Sequence, residues 1–147
     1  MSFLNIAKSR YSVRNYNDKK VEKSQLNIIL NAAHVAPTAA NLQPVHLIVV
    51  QEEKGLSKIG KAANIYNAPL AIIVCSDHSK AWTRPFDNKQ TVDIDASIIT
   101  DHMMLAATEQ GLGTIVVQLS RQKSKTFIMN RYPRLWEDRI FPVTCSN

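Results

Sequence analysis

Residues 36–50, APTAANLQPVHLIVV, join the end of a helix, a polar loop and a buried strand within one short stretch. Pro37 cannot continue a helix because its ring removes the backbone donor and fixes φ, so the apolar run before it must end near Ala36. Residues 46–50 are mostly apolar and β-branched, which predicts a strand. A loop fixed at both ends in this way has little freedom, and we expect the rest of the fold to be arranged around it.

The loop itself, residues 37–43 and hereafter the central loop, carries polar side chains beside small ones. Thr38, Asn41 and Gln43 offer a hydroxyl and two amides next to two alanines. Such a surface can hydrogen-bond a flat polar ligand without blocking it. Most helix-to-strand connections bind nothing, however, so the loop taken alone is better explained as a plain connection.

A second polar pattern lies near the N-terminus, in residues 9–16, SRYSVRNY. Arg10, Ser12 and Arg14 alternate, so in an extended segment their side chains project to one side. Two guanidinium groups and a hydroxyl on one face suit a phosphate, because arginine supplies forked donors and serine a short one. A solvated polar edge strand is the alternative interpretation of the same pattern.

The third pattern is GLGTIVV, residues 111–117, which follows a long predicted helix. Gly111 is a candidate for the residue that ends this helix. Gly113 permits a close approach by another backbone or by a ligand, and a strand is predicted from Thr114 onward.

In this order the three patterns resemble the FMN-dependent nitroreductase family. Its members carry an R-x-S-x-R segment near the N-terminus, a P-[ST]-x-x-N-x-Q-P loop and a late G-L-G-T strand. The resemblance covers about residues 3–118. It implies an α+β fold, an α/β/α sandwich with a mixed central sheet flanked by helices, and a homodimer with FMN sites at the subunit interface.

The resemblance also implies a role for each matching residue. The ribityl phosphate of FMN would be bound by Arg10, Ser12 and Arg14. The isoalloxazine ring would be lined, from the other subunit, by Pro37, Thr38, Asn41 and Gln43. The residues passing near the redox-active side of the ring would be Gly111, Gly113 and Thr114.

The activity that the resemblance implies is transfer of reducing equivalents from NADH or NADPH to small electron-poor acceptors such as nitroaromatics or quinones, in a ping-pong cycle. The flavin carries the redox chemistry while the protein binds and orients. This chemistry requires no catalytic side chain, and the sequence offers no Ser-His-Asp set, no metal-ligand cluster and no paired carboxylates. No G-x-G-x-x-G follows a strand, so no Rossmann-type nicotinamide site is expected.

Periodicity predicts the remaining elements. Helices are expected at residues 3–8, 21–36, 55–63 and 93–110, and a buried strand at 70–75; Ser24 is a candidate cap for the first long helix. The helix at 93–110 is apolar around much of its circumference, which agrees with the dimer-interface position that the resemblance implies; a central core helix of a monomer is the alternative. Residues 77–90, hereafter the aromatic segment, are polar but hold Trp82 and Phe86, and we expect a mobile excursion that can cover a ring.

Composition sets broader limits. A chain of 147 residues with 45% hydrophobic and 20% charged residues fits one soluble globular domain. No apolar stretch approaches the length of about 20 residues that spans a membrane, and no secretory signal is recognisable, so we expect a cytoplasmic protein. Cys75 and Cys145 form no CxxC motif, and free thiols fit a reducing compartment.

Beyond Gln118 the chain no longer resembles the family. Residues 119–147 hold six Lys or Arg against two Asp or Glu and so contribute +4 of the net charge of +6. They contain no helix-turn-helix, zinc-ligand or RNP-like pattern, so we predict no nucleic-acid binding. Their periodicity is poor, and no strand is predicted there. We therefore divide the chain into a nitroreductase-like FMN-binding domain, residues 1–118, and a divergent basic tail, residues 119–147, with a changed reading frame or a shortened gene as the hypothesis for its origin.

This tail leaves two alternatives open. If it alters the flavin site, the protein would bind or sequester flavin with little turnover. If the tail itself binds a partner, the protein would be a basic interaction module, and removal of residues 119–147 would abolish that association.

Overall fold

The computed structural model describes residues 2–117 and the backbone of residues 140–146. The elements in chain order are α1 (Phe3–Ser9), α2 (Lys23–Val35), a 3₁₀ turn (Ala39–Asn41), β1 (Val45–Val50), α3 (Glu53–Ala62), β2 (Leu70–Ser76), α4 (Val92–Glu109), β3 (Gly113–Val116) and β4 (Ile140–Ser146). Every helix and strand predicted from periodicity is confirmed, with ends within two residues of the predicted ones. No helix among the described residues is long and apolar enough to cross a membrane.

The four strands form one sheet in the order β1-β2-β4-β3, and every neighbouring pair is antiparallel. The N-terminal segment adds a parallel pairing at the outer side of β3, through a bridge between Ser12 and Thr114. Together the antiparallel ladders and this parallel bridge make the predicted mixed arrangement.

The strand β2 divides two hydrophobic cores. Successive side chains of a strand point to opposite faces, and all residues of β2 are buried. Leu70, Ile72 and Val74 pack with buried residues of α2 and α4, while the residues between them pack with α3, around Ile59. Helices therefore cover both faces of the sheet, which confirms the α+β sandwich.

The helix ends show which local signals were interpreted correctly. Glu22, rather than Ser24, caps α2, and it forms a reciprocal capping box with Gln25. The predicted Ser24 cap is wrong because the helix begins one residue before it, at Lys23. Gly111 ends α4 as predicted: it has φ +75°, and the amide of Leu112 donates to the carbonyl of Ala107 over 2.9 Å. A left-handed residue is required at such a helix end, and glycine adopts that conformation without strain.

One strand was not predicted at all. The backbone of Ile140–Ser146 lies between β2 and β3, with Pro142 opposite Ile73. A proline in a run normally argues against a central strand, so the local pattern pointed the wrong way. The division of the chain at residue 118 and the hypothesis of a changed reading frame stay predictions, since residues 118–139 lie outside the described part.

Candidate functional site

The N-terminal motif and the GLGT motif meet at β3. The amide of Val13 donates to the carbonyl of Thr114 over 2.9 Å, next to the Ser12–Thr114 bridge. The side chain of Val13 covers Gly113 so closely that a Cβ at this glycine would lie 2.6 Å from a valine methyl. The close approach predicted at Gly113 is therefore made by the N-terminal segment, which docks on β3 because no side chain stands in its way.

The side chains of this segment point as an extended chain requires. Val13 is half-buried against β3, whereas Ser12 and Arg14 are exposed and Arg10 is half-buried. Within the described residues neither arginine pairs with a carboxylate, and Arg14 Nη1 contacts only the carbonyl oxygen of Ser12, at 3.4 Å. Two guanidinium groups and a serine hydroxyl that have no carboxylate partner among the described residues make a site that suits a phosphate.

Thr114 adds a buried polar group to the same place. Its side chain is 1% exposed, and its Oγ1 has no hydrogen-bond partner among the residues that the structure describes. A buried hydroxyl without a partner costs free energy, and such groups in native proteins call for an explanation such as a ligand or a water. Thr114 Oγ1 is closed to solvent, so the accessible donors at this edge of the sheet are those of Arg10, Ser12 and Arg14, which suit a polar, anionic ligand.

The central loop adopts an unusual backbone. Ala40, Asn41 and Gln43 have φ values of 50°, 54° and 48°, which non-glycine residues rarely adopt. The amide of Gln43 donates to the hydroxyl of Thr38 over 3.0 Å, which closes the loop on itself. Asn41 and Gln43 are exposed, and their side-chain amides have no hydrogen bond within the described residues. Backbone strain of this kind clusters at ligand clamps and active sites.

Asp95 is a site residue that the sequence patterns did not reveal. It lies in the first turn of α4, is 1% exposed, and accepts the amide proton of Ala39 over 2.8 Å. Its other oxygen accepts from the hydroxyl of Thr91 over 2.9 Å. The available signal was its position one turn before Ile99, on the largely apolar buried face of α4, where a carboxylate is unexpected.

The aromatic segment is a folded turn. The amide of Arg84 donates to the carbonyl of Lys89 over 2.9 Å, and the guanidinium of Arg84 pairs with Asp87 and lies 5.1 Å from the ring centroid of Phe86. Phe86 is 78% exposed and Trp82 is 36% exposed. The segment therefore holds two aromatic rings at the surface without burying them.

The segment is joined to α4 by backbone. The amide of Thr91 donates to the carbonyl of Trp82 over 3.0 Å. No group of three or more His, Cys, Asp or Glu side chains that could hold a metal ion occurs in the part of the chain that the structure describes.

Ten predicted site residues thus fall into two groups. One group lies at β3 and the turn before it, and contains Arg10, Ser12, Arg14, Gly111, Gly113 and Thr114. The other is the central loop with Pro37, Thr38, Asn41 and Gln43. Hydrogen bonding within the described residues joins the first and third motifs, whereas no hydrogen bond between described residues joins the central loop to the arginine segment.

Known proteins resemble this chain in both sequence and fold. The family model described as Nitroreductase family matches residues 7–65. A solved nitroreductase family protein from Clostridium difficile 630 is 50% identical, with a TM-score of 0.92 over 99% of this chain and 84% of that one. An FMN-dependent nitroreductase from Clostridium difficile R20291 is 26% identical, with a TM-score of 0.78 over 97% of this chain and 86% of that one.

A curated relative from Methanothermobacter thermautotrophicus, whose name places it among the NADH dehydrogenase/NAD(P)H nitroreductases, is 36% identical over 119 residues. The match covers 78% of this chain and 60% of that protein, so the chain spans about three fifths of this curated relative. The three motifs and the sandwich fold agree with a solved structure that is 50% identical to this chain and aligns over 99% of it. We conclude that this chain belongs to the nitroreductase family.

Proposed function

We propose that this protein is an FMN-dependent oxidoreductase that transfers reducing equivalents from NADH or NADPH to small electron-poor acceptors, such as nitroaromatics or quinones. The observation that carries the proposal is the docking of the Arg10–Ser12–Arg14 segment on β3, which presents two guanidinium groups that pair with no carboxylate among the described residues. The names of the relatives, one FMN-dependent and one a NAD(P)H nitroreductase, support the same activity.

The phosphate of FMN would be held by the arginine segment. Arg10 and Arg14 supply charge and forked donors, and Ser12 supplies a hydroxyl on the same face. Because the segment is docked on the sheet before any ligand arrives, little conformational freedom is lost on binding.

The ring of FMN would be bound by the central loop, through the exposed amides of Asn41 and Gln43. We place this loop on the partner subunit of a homodimer, because within one chain no described hydrogen bond joins it to the arginine segment. Large apolar side chains stand exposed near both groups and would be covered in such a dimer; they are Phe3 at 70%, Leu4 at 58%, Val35 at 74% and Ile94 at 50% exposure.

When bound, FMN supplies the hydride-accepting and hydride-donating chemistry. The protein's part would be to hold FMN through the arginine segment and the central loop, so that NAD(P)H and the acceptor could each reach the cofactor in turn, as ping-pong kinetics require. The exposed rings of Trp82 and Phe86 would stack on the flat acceptor at the edge of this opening.

The test begins with the purified full chain, a titration with FMN followed by flavin fluorescence, and size-exclusion chromatography with light scattering. Tight binding to a dimer, followed by anaerobic bleaching of the visible absorbance with NADH or NADPH and its recovery with a quinone, is the expected result. Binding without bleaching would overturn the oxidoreductase proposal in favour of a flavin carrier. A protein that takes up no FMN would overturn both.

A further inference from the structure

The carboxylate of Asp95 is buried at the start of α4 and accepts hydrogen bonds from two different segments. Among the described residues no lysine or arginine side chain pairs with it, yet it is 1% exposed. A buried charge is costly unless hydrogen bonds or dipoles compensate it. Asp95 obtains that compensation from two donors and from the first turn of α4, where the helix dipole favours an anion.

Both donors belong to segments that flank the proposed flavin ring. The amide of Ala39 is the first donor, and it immediately precedes the left-handed residues Ala40 and Asn41. The hydroxyl of Thr91 is the second, and the amide of the same residue holds the carbonyl of Trp82. One carboxylate therefore fixes the start of the central loop and the base of the aromatic segment.

The strain in the central loop explains why such an anchor is needed. Non-glycine residues with positive φ persist only where surrounding contacts over-determine the backbone. Within the loop, the amides of Asn41 and Leu42 donate to the carbonyls of Thr38 and Ala39, and the amide of Gln43 donates to the Thr38 hydroxyl. Among the described hydrogen bonds of the loop's amides, only that of Ala39 to Asp95 joins the loop to α4. Without the carboxylate, Ala39 would keep a donor with no partner inside the protein, and the loop could relax.

We propose that Asp95 is a positioning residue: its carboxylate holds the central loop in the strained conformation that presents Asn41 and Gln43 to the flavin ring, and through Thr91 it sets the aromatic segment beside them. This role rests on the proposed function for the identity of the ligand. The anchoring of the loop by Asp95 is independent of the proposed function, because its hydrogen bond to Ala39 is present in the flavin-free protein.

The experiment compares Asp95→Ala with Asp95→Asn, because asparagine keeps an acceptor for the Ala39 amide. The matched control is Ser76→Ala, which removes a buried hydrogen bond to the carbonyl of Val92 at the same end of α4 without touching the loop. Two quantities are measured: hydrogen exchange of residues 38–43 in flavin-free protein, and the dissociation constant for FMN.

We expect D95A to speed hydrogen exchange at the Ala39 amide and to weaken FMN binding, each by about 10- to 100-fold. This is the change in an equilibrium constant that corresponds to the loss of one hydrogen bond to a charged group. D95N should recover most of both losses. S76A should lower the melting temperature while leaving loop exchange and FMN affinity at wild-type values. If D95A does not fold, Thr91→Val removes one donor to the carboxylate and should give the same changes with smaller size.

Unchanged exchange at Ala39 in D95A, or in T91V if that variant is used, would overturn the proposal. Equal effects of S76A and D95A would overturn it as well, since loss of stability would then explain both. The proposed function fails differently: wild-type protein that takes up no FMN would refute it, while the exchange data would still decide whether Asp95 anchors the loop.

Discussion

The central loop is anchored through side chains, whereas the arginine segment is anchored through its backbone and one valine. Asp95 and Thr38 hold the loop by accepting amide protons from Ala39 and Gln43. The arginine segment instead donates the Val13 amide to Thr114 and packs Val13 on Gly113. The two anchors thus differ in kind, although both present polar side chains to solvent.

The difference follows from the backbone that each region adopts. The loop has three non-glycine residues with positive φ, each costing of the order of 1–2 kcal/mol, so it needs specific polar anchors. The arginine segment is ordinary extended chain and needs only a surface on which to dock. Loss of a polar group should therefore damage the loop, and added volume under the segment should damage the phosphate side.

The largest expected effect comes from the double substitution Arg10→Ala and Arg14→Ala. Loss of two charge-assisted contacts should weaken FMN binding by about 100-fold or more, since each is worth roughly 1.5–3 kcal/mol. Riboflavin has no phosphate, so its affinity should hardly change. Fluorescence titration with both flavins measures the ratio of the FMN affinity to the riboflavin affinity.

The control is the paired change Lys19→Ala and Lys20→Ala, which removes the same charge from exposed positions. It should leave the ratio of the two flavin affinities unchanged. An equal loss of FMN affinity in this control would assign the effect to net charge.

Gly113→Ala should have the next largest effect, because its methyl group would lie 2.6 Å from the Val13 side chain. Overpacking of this kind costs about 1–3 kcal/mol, and the displaced segment should lose affinity for FMN more than for riboflavin. Urea unfolding and flavin titration measure the two effects.

Two further variants test the cause of the Gly113 effect. In the Gly113→Ala background, the second change Val13→Ala should restore part of the lost stability and FMN affinity, because it removes the clash. The double variant should therefore lose less than the sum of the losses of the two single variants. Gly111→Ala adds the same methyl group into open space at φ +75°, so it should cost about 1 kcal/mol of stability and no flavin selectivity. Additive behaviour of the double variant would argue against contact between the two side chains as the cause.

Ala40 tests the strain in the central loop. Ala40→Gly should raise the free energy of unfolding by up to about 1 kcal/mol or leave it unchanged, because glycine adopts φ 50° without penalty. Ala40→Val should lower it by about 1 kcal/mol or more, because a β-branched residue is strained there. Denaturant unfolding measures the free energy of unfolding of both variants. Changes in opposite directions would verify the strain, whereas equal free energies of unfolding would show that the loop relaxes at no cost.

The smallest effect concerns Asp77, whose amide donates to the carbonyl of Pro44 just after the central loop, over 2.7 Å. The hydroxyl of Ser79, which bonds the Asp77 carboxylate, lowers the pKa of this group below its ordinary value. A lowered pKa stabilises the folded state above the unfolded pKa, near pH 4, and this stabilisation disappears as pH falls through the folded pKa. Asp77→Asn should therefore reduce stability slightly at neutral pH and match wild type in acid, as thermal melts across pH would show.

Sequence periodicity was sufficient for the elements whose signal is local. Residues 70–75 form a continuous apolar run rich in β-branched side chains, and a run of that length and composition is typical of a buried strand. The end of α2 before Pro37 and the end of α4 at Gly111 follow from the backbone chemistry of proline and glycine. The order of the three motifs was enough to indicate the family.

Contacts between distant residues could not be predicted in the same way. Asp95 and Ala39 are 56 positions apart, and their hydrogen bond exists only because α4 packs beside the central loop. Likewise, the partner of Gly113 is Val13, although the sequence left the choice between a backbone and a ligand open. The strand Ile140–Ser146 was missed because pairing on both sides, rather than its own pattern, makes it a strand.

By itself the sequence determined the helices and strands up to Val116, the two helix-ending residues and the donor types that suit a phosphate and a flat ring, because these depend on backbone chemistry and on neighbouring side chains. The tertiary structure alone decided that the arginine segment docks on β3, that Asp95 anchors the central loop, and that the two regions remain unconnected by hydrogen bonds within the described chain. Such pairings depend on how whole elements pack, and no local pattern encodes which distant group a buried donor will meet.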